Sequence, residues 1–371
     1  MIPVYEPLLD GNEESYVLDC LKTNWVSSAG KYIALFEEKF ADYCGAEYAV
    51  ACNSGTAAIH LALAALGIGP GDEVIVPSFT IIACANMVIL TGAKPVLVDV
   101  DPQTWCIDTK KIEEHITSRT KAIMAVHMYG HPCDMDSILE VAKSYGLFVI
   151  EDAAEAHGAE YKGRKTGAIG DVGCFSFYGN KIITTGEGGQ VVTNNRQIAD
   201  QARLLRNQAF EEPRFVHRFL GFNYRMTNIQ AAIGLAQCET LDDKIDRKRR
   251  IAQLYSDLLG EQPDLTLPCE ASWAKNVYWM YGVLLEDSFG RSRDDVMRLL
   301  QTKGVETRAF FYPLHKQPVF VDGSHPSYPD VSGSYPVSED LSARGLYLPS
   351  GPGLTTDEVK EVVSKLLECR T

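Results

Sequence analysis

The residue of this sequence best suited to covalent chemistry is Lys181, because it lies between an apolar aromatic run and a glycine-rich turn. The run covers residues 175–178, and the turn covers residues 186–189. Burial penalises the charged form of a lysine and lowers its pKa, which makes the amine a good nucleophile for an aldehyde. A lysine whose stem lies on aromatic surface with its head in water fits the same pattern. Taken alone, Lys181 therefore leaves both interpretations open.

A second candidate is the small polar turn at 53–56, which contains Ser54, Gly55 and Thr56. It follows an apolar strand and precedes an alanine-rich helix, an arrangement that points free backbone N–H groups at a phosphate. A plain helix cap through a hydroxyl fits as well, and the two uses can coexist. The glycines of 67–71 instead follow a helix and precede a strand, which is the wrong context for a dinucleotide-binding loop. They predict a turn.

The third candidate is Asp152, which stands at the carboxyl end of the apolar strand 147–151. Ligands of open α/β sheets bind at the carboxyl ends of strands, where a carboxylate can face a cationic ring nitrogen. A helix cap is the simpler use of such a residue. Lys181, Asp152, the turn at 53–56 and the hydroxyl of Ser176 together supply what pyridoxal phosphate requires. These are an aldehyde trap, a partner for the pyridine nitrogen, and phosphate donors.

The elements that position these residues alternate between strand and helix. Strands are predicted at 48–52, 73–77, 94–99, 121–127, 147–151, 190–193, 278–284 and 305–311, and helices at 13–44, 57–66, 81–90, 110–116, 136–145, 227–259, 292–302 and 356–367. This alternation predicts an α/β fold with a mainly parallel sheet. The helix over 227–259 is long enough to bridge two domains. We therefore expect a large α/β domain over 1–245 and a smaller α+β domain over 246–371.

Composition narrows the class of protein. The 371 residues suit two domains, and the net charge of −14 argues against binding to a nucleic-acid backbone. The ten cysteines form no Cys-x-x-Cys pair and several lie in apolar runs, which indicates buried thiols in a reducing compartment. The first residues lack the features of a signal peptide, and no apolar run is long enough to span a membrane. We expect a cytoplasmic protein without metal, nucleic-acid or membrane partners.

The ordered set of motifs resembles the DegT/DnrJ family of nucleotide-sugar aminotransferases over essentially the whole chain. The resemblance is carried by Asn53-Ser54-Gly55-Thr56-Ala57, Pro77-Ser78-Phe79-Thr80, Glu151-Asp152-Ala153-Ala154-Glu155-Ala156, Ser176-Phe177, Asn180-Lys181, Gly186-Glu187-Gly188-Gly189 and Gly221-Phe222-Asn223-Tyr224-Arg225-Met226. It implies the fold-type I architecture of aspartate aminotransferase. It also implies a homodimer with shared active sites, and a cofactor that alternates between pyridoxal 5'-phosphate and pyridoxamine 5'-phosphate.

The resemblance implies a role for each motif residue. As catalytic residues, Lys181 would bind the cofactor aldehyde covalently and shuttle a proton, and Asp152 would keep the pyridine nitrogen protonated. Glu155 would lie near the phenolic oxygen or the ring. The expected cofactor-binding set is Ser54, Gly55, Thr56, Ile81, Asp152, Glu155, Ser176 and Lys181, with Asn223 of the partner subunit reaching the phosphate.

The residues that contact the ring face and the sugar are less defined by the resemblance. The family usually has an aromatic residue after its Pro-Ser-x-Thr motif, where this chain has Ile81. Either the aliphatic side chain of Ile81 packs on the cofactor ring, or Phe79 or a neighbouring residue packs on it. His315 and Tyr312 are candidates to contact the sugar, although a surface-loop histidine fits the position of His315 equally well.

Two segments, 127–136 and 179–189, look most like family members that aminate C4 of GDP-4-keto-6-deoxy-mannose with L-glutamate as donor, for surface glycans such as O-antigen. A dTDP- or UDP-linked keto sugar is the alternative substrate. A related dehydratase of the same family has a histidine in place of the lysine. The presence of Lys181 therefore argues against a dehydratase. A regulator that binds the cofactor without turnover is disfavoured by the full set of acid, lysine and phosphate-binding groups and by the lack of a basic DNA-binding segment. A nicotinamide dehydrogenase is disfavoured because the sequence has no Gly-x-Gly-x-x-Gly turn between a strand and a helix.

Overall fold

The computed structural model describes residues 1–370, in which helices and strands alternate. The helices α1 to α12 are Glu13–Lys22, Lys31–Cys44, Gly55–Ala65, Ala83–Leu90, Met135–Tyr145, Arg196–Arg206, Asn228–Glu239, Leu241–Leu259, Arg293–Thr302, Pro318–Val321, Pro336–Arg344 and Thr356–Leu367. The strands β1 to β14 are Tyr48–Cys52, Glu73–Pro77, Lys94–Val98, Thr120–Val126, Phe148–Asp152, Glu160–Tyr161, Arg164–Lys165, Val172–Ser176, Gly189–Thr193, Leu265–Thr266, Ala274–Lys275, Tyr281–Leu285, Arg308–Ala309 and Gly345–Leu348. Short 3₁₀ helices cover Thr109–Lys111, Glu113–His115, Met128–Gly130, Asp287–Phe289 and Leu314–Lys316. Within this described part, no helix is both long enough and apolar enough to cross a membrane.

The central sheet has seven strands in the order β1-β9-β8-β5-β4-β2-β3. Neighbouring strands are parallel except where β9 pairs with β1 and with β8. Strands β2 and β8 are buried along their whole length, as expected for strands of a parallel sheet that is covered on both faces. The predicted α/β architecture with a mainly parallel sheet is confirmed. The carboxyl ends of β4, β5 and β8 meet at one edge of this sheet.

Two aromatic residues of α2 anchor the segment that leads into Lys181. Phe36 and Phe40 are fully buried, and their ring centroids lie 5.0 and 5.2 Å from that of Phe177. A spacing of four residues places both rings on one face of the helix. The surface helices predicted over 13–44 are helical as expected, but α2 buries one face in the core.

A second, smaller core forms around the antiparallel sheet β10-β12-β14-β13, with side chains from α8, α9 and α12. Helix α8 contributes to both cores, since Ile245 packs in the first and Ile251 and Tyr255 pack in the second. This placement agrees with the expected bridging helix. The division into 1–245 and 246–371 stays a prediction.

The single helix predicted over 227–259 is wrong, because the segment forms two helices that meet at Thr240. This residue has φ −116° and ψ 15°, and its hydroxyl donates to the carbonyl of Gln237 at 3.4 Å. A β-branched side chain that bonds to the backbone favours a break in a helix. The bridging element is therefore α8 alone, a helix of 19 residues.

Two other predicted elements are shorter in the structure than in the sequence-based prediction. The helix predicted at 110–116 consists of two separate 3₁₀ turns, the first capped by the side chain of Asp108, which accepts the N–H of Lys110. A short segment gains too few hydrogen bonds to offset the cost of starting an α-helix. The strand predicted at 305–311 is reduced to the two residues of β13.

Candidate active site

A cavity of about 360 Å³ opens at the carboxyl ends of β4, β5 and β8. These strands end at Val126, Asp152 and Ser176, and all three residues line the cavity. Trp279, Phe311 and Tyr347, from the second half of the chain, also line the cavity. The cavity brings together eight of the predicted cofactor-binding residues, which are Ser54, Gly55, Thr56, Ile81, Asp152, Glu155, Ser176 and Lys181.

The amine of Lys181 lies inside this cavity between a carboxylate and an aromatic ring. Its Nζ is 3.6 Å from Oε1 of Glu155 and 3.8 Å from the centroid of the Trp279 ring. Burial lowers the pKa of Lys181, while the charges of Glu155 and Asp152 act in the opposite direction. A lysine with a lowered pKa holds more of its amine in the neutral, nucleophilic form near neutral pH. The side chain of Lys181 is 11% exposed, which agrees better with an amine enclosed in the cavity than with one whose head lies in water.

The backbone around Lys181 is held by two side chains from distant parts of the chain. The hydroxyl of Tyr5 donates to the carbonyl of Lys181 at 2.6 Å, and Nε1 of Trp279 donates to the carbonyl of Asn180 at 2.7 Å. Lys181 follows the buried aromatic run and precedes the buried pair Ile182 and Ile183. The main chain of this loop is therefore fixed on both sides, which limits where the amine can reach.

Two buried carboxylates face the cavity with different hydrogen-bond partners. Oδ1 of Asp152 accepts the N–H of Ala154 at 3.1 Å, and Oδ2 accepts the thiol of Cys84 at 3.1 Å. Oε2 of Glu155 accepts the backbone N–H of Tyr129 at 2.9 Å. Burial raises the pKa of Glu155 to about 7, against the opposing effect of Lys181. Glu155 can therefore hold or release a proton near neutral pH.

The turn before α3 leaves backbone N–H groups free at the start of the helix. Oγ of Ser54 caps the helix by accepting the N–H of Ala57 at 3.1 Å, which leaves the first N–H groups of the helix, those of Gly55 and Thr56, without intrahelical partners. A Cβ at Gly55 would lie 2.5 Å from Cβ of Ser176. Glycine is therefore required for the close approach of this turn to the end of β8. The helix cap is present, and free N–H groups lie beside it; the use of these groups to bind an anion stays a prediction.

These groups fit pyridoxal phosphate. The N–H groups of Gly55 and Thr56 and the hydroxyl of Ser176 suit a dianionic phosphate. The carboxylate of Asp152, held from two sides, suits a protonated ring nitrogen. The amine of Lys181 lies in the same cavity, where it can meet an aldehyde. The roles of the individual residues stay predictions, although their placement agrees with each role.

Ile81 and Phe79, the two residues named for the ring face, lie in different surroundings. Ile81 lines the cavity, whereas Phe79 is fully buried and packs its ring on Tyr129 at 6.1 Å. From this region Ile81 and its neighbour Thr80 line the cavity and Phe79 does not, so contact of Ile81 with a bound ring stays a prediction. Phe311 also lines the cavity and offers a second apolar surface.

His315 and Tyr312, the predicted sugar contacts, lie outside this lining. His315 is buried, its Nδ1 is 2.6 Å from Oγ of Ser78, its Nε2 is 3.2 Å from Oε1 of Glu339, and burial lowers its pKa. It is therefore not a surface-loop histidine, and its polar atoms are already paired within the fold. Tyr312 is exposed beside Phe311. Contact of either residue with a sugar stays a prediction.

Asn223 also lies outside the cavity of its own chain. It is exposed, its Oδ1 accepts Nε of Arg225 at 3.0 Å, and it pairs by a β-bridge with Asn207. The preceding loop exposes four large apolar side chains, Phe215, Val216, Phe219 and Leu220, the last of them 93% exposed. An exposed apolar group of this kind is typical of a surface that another protein covers.

Several cavity residues were missed by the sequence-based prediction. Trp279, Phe311 and Tyr347 line the cavity from beyond residue 245, and burial raises the pKa of Tyr347 to about 12. The sequence predicts the aromatic cluster at 278–281 only as part of a strand. A tryptophan within such a cluster carries no spacing that relates it to Lys181, so no local signal identifies it.

Comparison with known proteins gives consistent matches over the full length. A sequence model of the DegT/DnrJ/EryC1/StrS aminotransferase family matches residues 7–367. The GDP-perosamine synthase of Caulobacter vibrioides is 50% identical over 367 residues, which are 98% of this chain and 97% of that protein. The GDP-perosamine synthase of Escherichia coli O157:H7 is 46% identical over 368 residues, 99% of this chain and 98% of that protein. The crystal structure of DesI in the presence of its TDP-sugar product superposes with a TM-score of 0.90 at 31% identity, covering 100% of this chain and 92% of that chain.

Proposed function

The chain belongs to the DegT/DnrJ/EryC1/StrS aminotransferase family, and from this premise we propose that it converts GDP-4-keto-6-deoxy-D-mannose to GDP-perosamine. The amino group comes from L-glutamate and is transferred to C4 of the nucleotide-linked sugar. The observation that carries the proposal is identity of 50% and 46%, over nearly the full length of both proteins, to two GDP-perosamine synthases. The enzyme is a pyridoxal-phosphate-dependent sugar aminotransferase.

Pyridoxal 5'-phosphate, when bound, supplies the electron sink that stabilises negative charge at the carbon exchanging its amino group. Asp152 would contribute a carboxylate to the ring nitrogen, oriented by the N–H of Ala154 and the thiol of Cys84. The N-terminus of α3 and the hydroxyl of Ser176 would bind the phosphate. These contacts would fix the ring across the strand ends, with the amine of Lys181 in reach.

Lys181 would move the proton that each half of the reaction requires. Its amine, with a pKa lowered by burial, can take a proton from carbon and return it at a neighbouring position. The ring of Trp279, 3.8 Å from Nζ, stabilises the charged form while the proton is held. Glu155, at 3.6 Å, provides a second proton-holding group whose pKa is about 7.

The active unit would be a homodimer in which each subunit completes the site of the other. Support comes from the exposed apolar loop before Asn223 and from the position of Asn223 outside its own cavity. A two-fold interface is isologous, so each subunit would give one loop and receive one. Asn223 of the partner subunit would then reach the cofactor phosphate.

Mixing two inactive variants tests this sharing. Lys181→Ala removes the amine, and Asn223→Glu places a negative charge against the phosphate. A mixed dimer would contain one site with both lesions and one with neither, and should regain up to about half of the activity of a wild-type dimer. No recovery, despite demonstrated subunit exchange, would place Asn223 in its own subunit's site or outside the chemistry.

The proposed setting is the cytoplasm, where the product would supply synthesis of O-antigen or another surface glycan. Nine of the ten cysteines are buried and all ten are free thiols, which suits a reducing compartment. The large negative net charge, −14, argues against a nucleic-acid partner.

The substrate test compares 4-keto-6-deoxy sugars linked to GDP, dTDP and UDP. Because DesI, a structural neighbour, was solved with a TDP-sugar, the dTDP-linked sugar is the second candidate. Comparison of kcat/KM for the three substrates should favour the GDP-linked sugar. A higher kcat/KM for another nucleotide would replace the proposed substrate. Absence of reaction with all three and with glutamate would favour a regulator that binds the cofactor without turnover.

A further inference from the structure

We propose that Cys84 is a positioning residue for this reaction, whose thiol holds the carboxylate of Asp152 in the orientation that faces the cofactor ring nitrogen. Cys84 is the second residue of α4 and is fully buried. It lies outside the cavity lining, so it would act through Asp152 and not on the cofactor itself. The inference rests on the proposed function.

The geometry fixes the carboxylate from two directions. Sγ of Cys84 is 3.1 Å from Oδ2 of Asp152, and the backbone N–H of Ala154 is 3.1 Å from Oδ1. One donor on each oxygen opposes rotation of the carboxyl plane. Removal of the thiol would leave a single donor, and Asp152 would be free to turn away from a ring nitrogen.

The direction of the hydrogen bonds follows from the chemistry of the three groups. A carboxylate only accepts hydrogen bonds, so the S–H of Cys84 donates to Asp152. Oγ1 of Thr80, 3.5 Å from the same sulfur, can then donate to it. Burial, and next the charge of Asp152, raise the pKa of Cys84 well above its ordinary value. The thiol therefore keeps its proton and remains a donor at physiological pH.

Thr80 extends this arrangement to the cavity wall. Thr80 is buried and lines the cavity. It lies four residues before Cys84, just ahead of the first residue of α4. The order Thr80, Cys84, Asp152 is a line of hydrogen bonds from the cavity wall to the carboxylate. Hydrogen bonds in such a line polarise one another, which strengthens the bond at Asp152.

Cys174 provides a matched control. It is buried in β8 directly beside Asp152, with which it pairs in register. Among residues 1–370, however, the only thiol that donates to Asp152 is that of Cys84. Cys174→Ala and Cys84→Ala therefore make the same change in two buried cysteines near Asp152, and only the second removes a hydrogen bond to its carboxylate.

The experiment measures the dissociation constant of pyridoxal phosphate from each protein, the rate constant and KM of the half-reaction with glutamate, and the Tm. Cys84→Ala should weaken cofactor binding by about 3- to 10-fold, the range of one hydrogen bond. It should slow the half-reaction by a similar factor and leave KM for glutamate unchanged. Cys84→Ser, which restores a donor, should recover most of both losses, and Cys174→Ala should resemble wild type.

A double-mutant cycle separates positioning from packing. In protein that already carries Asp152→Asn, replacement of Cys84 by Ala should have little further effect on cofactor affinity, because the charged acceptor is gone. If Cys84→Ala fails to fold, Cys84→Val fills the volume without a donor and takes its place.

Three results would overturn the proposal: wild-type affinity in Cys84→Ala, equal losses in Cys84→Ala and Cys174→Ala, or no recovery with serine. Failure of the wild-type protein itself to bind the cofactor or to react with glutamate would instead contradict the proposed function. The two failures are therefore distinguishable within one set of measurements.

Discussion

The contact between Trp279 and the lysine loop leads to a prediction whose size can be worked out from the structure. Trp279 is 3% exposed, its Nε1 donates to the carbonyl of Asn180 at 2.7 Å, and its ring centroid is 3.8 Å from Nζ of Lys181. Trp279→Phe keeps an aromatic ring and removes the donor. Trp279→Leu removes both the donor and the ring.

The expected losses follow from the two interactions. One net hydrogen bond contributes about 1 kcal/mol, and exchange of tryptophan for phenylalanine weakens a partly desolvated cation–π contact by a fraction of its ~1–2 kcal/mol. Trp279→Phe should therefore lower the free energy of unfolding of the cofactor-free protein by about 1–2 kcal/mol. Trp279→Leu, which also loses the ring and leaves a cavity, should lower it by roughly 3 kcal/mol.

The assay combines denaturation with a pH profile. Urea unfolding gives the stability of each cofactor-free variant, and the pH dependence of pyridoxal phosphate capture reports the pKa of Lys181. Because an aromatic face favours the charged amine, Trp279→Leu should move that profile to lower pH. Trp273→Phe is the control, since Trp273 packs on Tyr161 at 5.1 Å and lies outside the cavity.

Two results would refute this reasoning. If Trp279→Phe is as stable as wild type, the indole hydrogen bond to the loop is not a significant interaction. If Trp279→Leu leaves the pH profile of cofactor capture where it was, the ring does not stabilise the ammonium of Lys181. A similar loss in Trp273→Phe would mean that the effect belongs to aromatic packing in general.

Three further predictions concern the polar groups of the cavity. Lys181→Ala should fold with a Tm near that of wild type and lose turnover with glutamate and keto sugar; normal turnover would remove Lys181 from its catalytic role. Asp152→Asn should bind the cofactor more weakly and slow the glutamate half-reaction by about 100-fold or more, which single-turnover kinetics measure, and near-wild-type rates would contradict its role. Because burial raises the pKa of Glu155 from 4.5 to about 7, its contribution to the stability of the cofactor-free protein is complete below pH 4.5 and is lost as pH rises through 7. The difference corresponds to roughly 3 kcal/mol, so unfolding measured from pH 5 to 8 should show a fall in wild type that Glu155→Gln lacks.

The residues that sequence alone identified are those whose role follows from local structure. Lys181 follows an aromatic run, Asp152 ends an apolar strand, and Gly55 precedes a helix. Since the carboxyl ends of parallel strands meet at one edge, the predicted strands before Gly55 and Asp152 were enough to bring those two residues together. The strand that leads to Lys181, β8, is not among the predicted strands. The same local reasoning predicted six of the seven strands of the central sheet, all except β8, and most of the helices.

The residues that sequence did not identify depend on contacts between distant segments. Tyr5 and Lys181 are 176 positions apart and Trp279 and Asn180 are 99 apart, so no periodicity relates them. For His315 the sequence left a sugar contact and a surface loop open, and neither interpretation includes the pairing with Ser78, 237 positions away, that accompanies its burial. Contacts between such distant residues depend on how the segments that carry them pack together in the folded chain.

The prediction of one helix over 227–259 was wrong for a different reason. The hydrophobic pattern continues through Thr240, so the pattern predicts one helix where the structure has two. A single backbone conformation, with a hydroxyl bonded to the Gln237 carbonyl, interrupts the helix without interrupting the pattern. Amphipathic periodicity reports which face is buried and is insensitive to one residue that leaves helical geometry.

The most direct test of the proposed activity follows the nitrogen atom itself. The purified protein, loaded with pyridoxal phosphate, is given ¹⁵N-labelled L-glutamate and GDP-4-keto-6-deoxy-D-mannose. We expect the label at C4 of the sugar, detected by mass spectrometry and by nitrogen–carbon coupling in NMR, with an equimolar amount of 2-oxoglutarate. A sugar that acquires no label, while the protein binds the cofactor and the Lys181→Ala control behaves identically, would contradict the account.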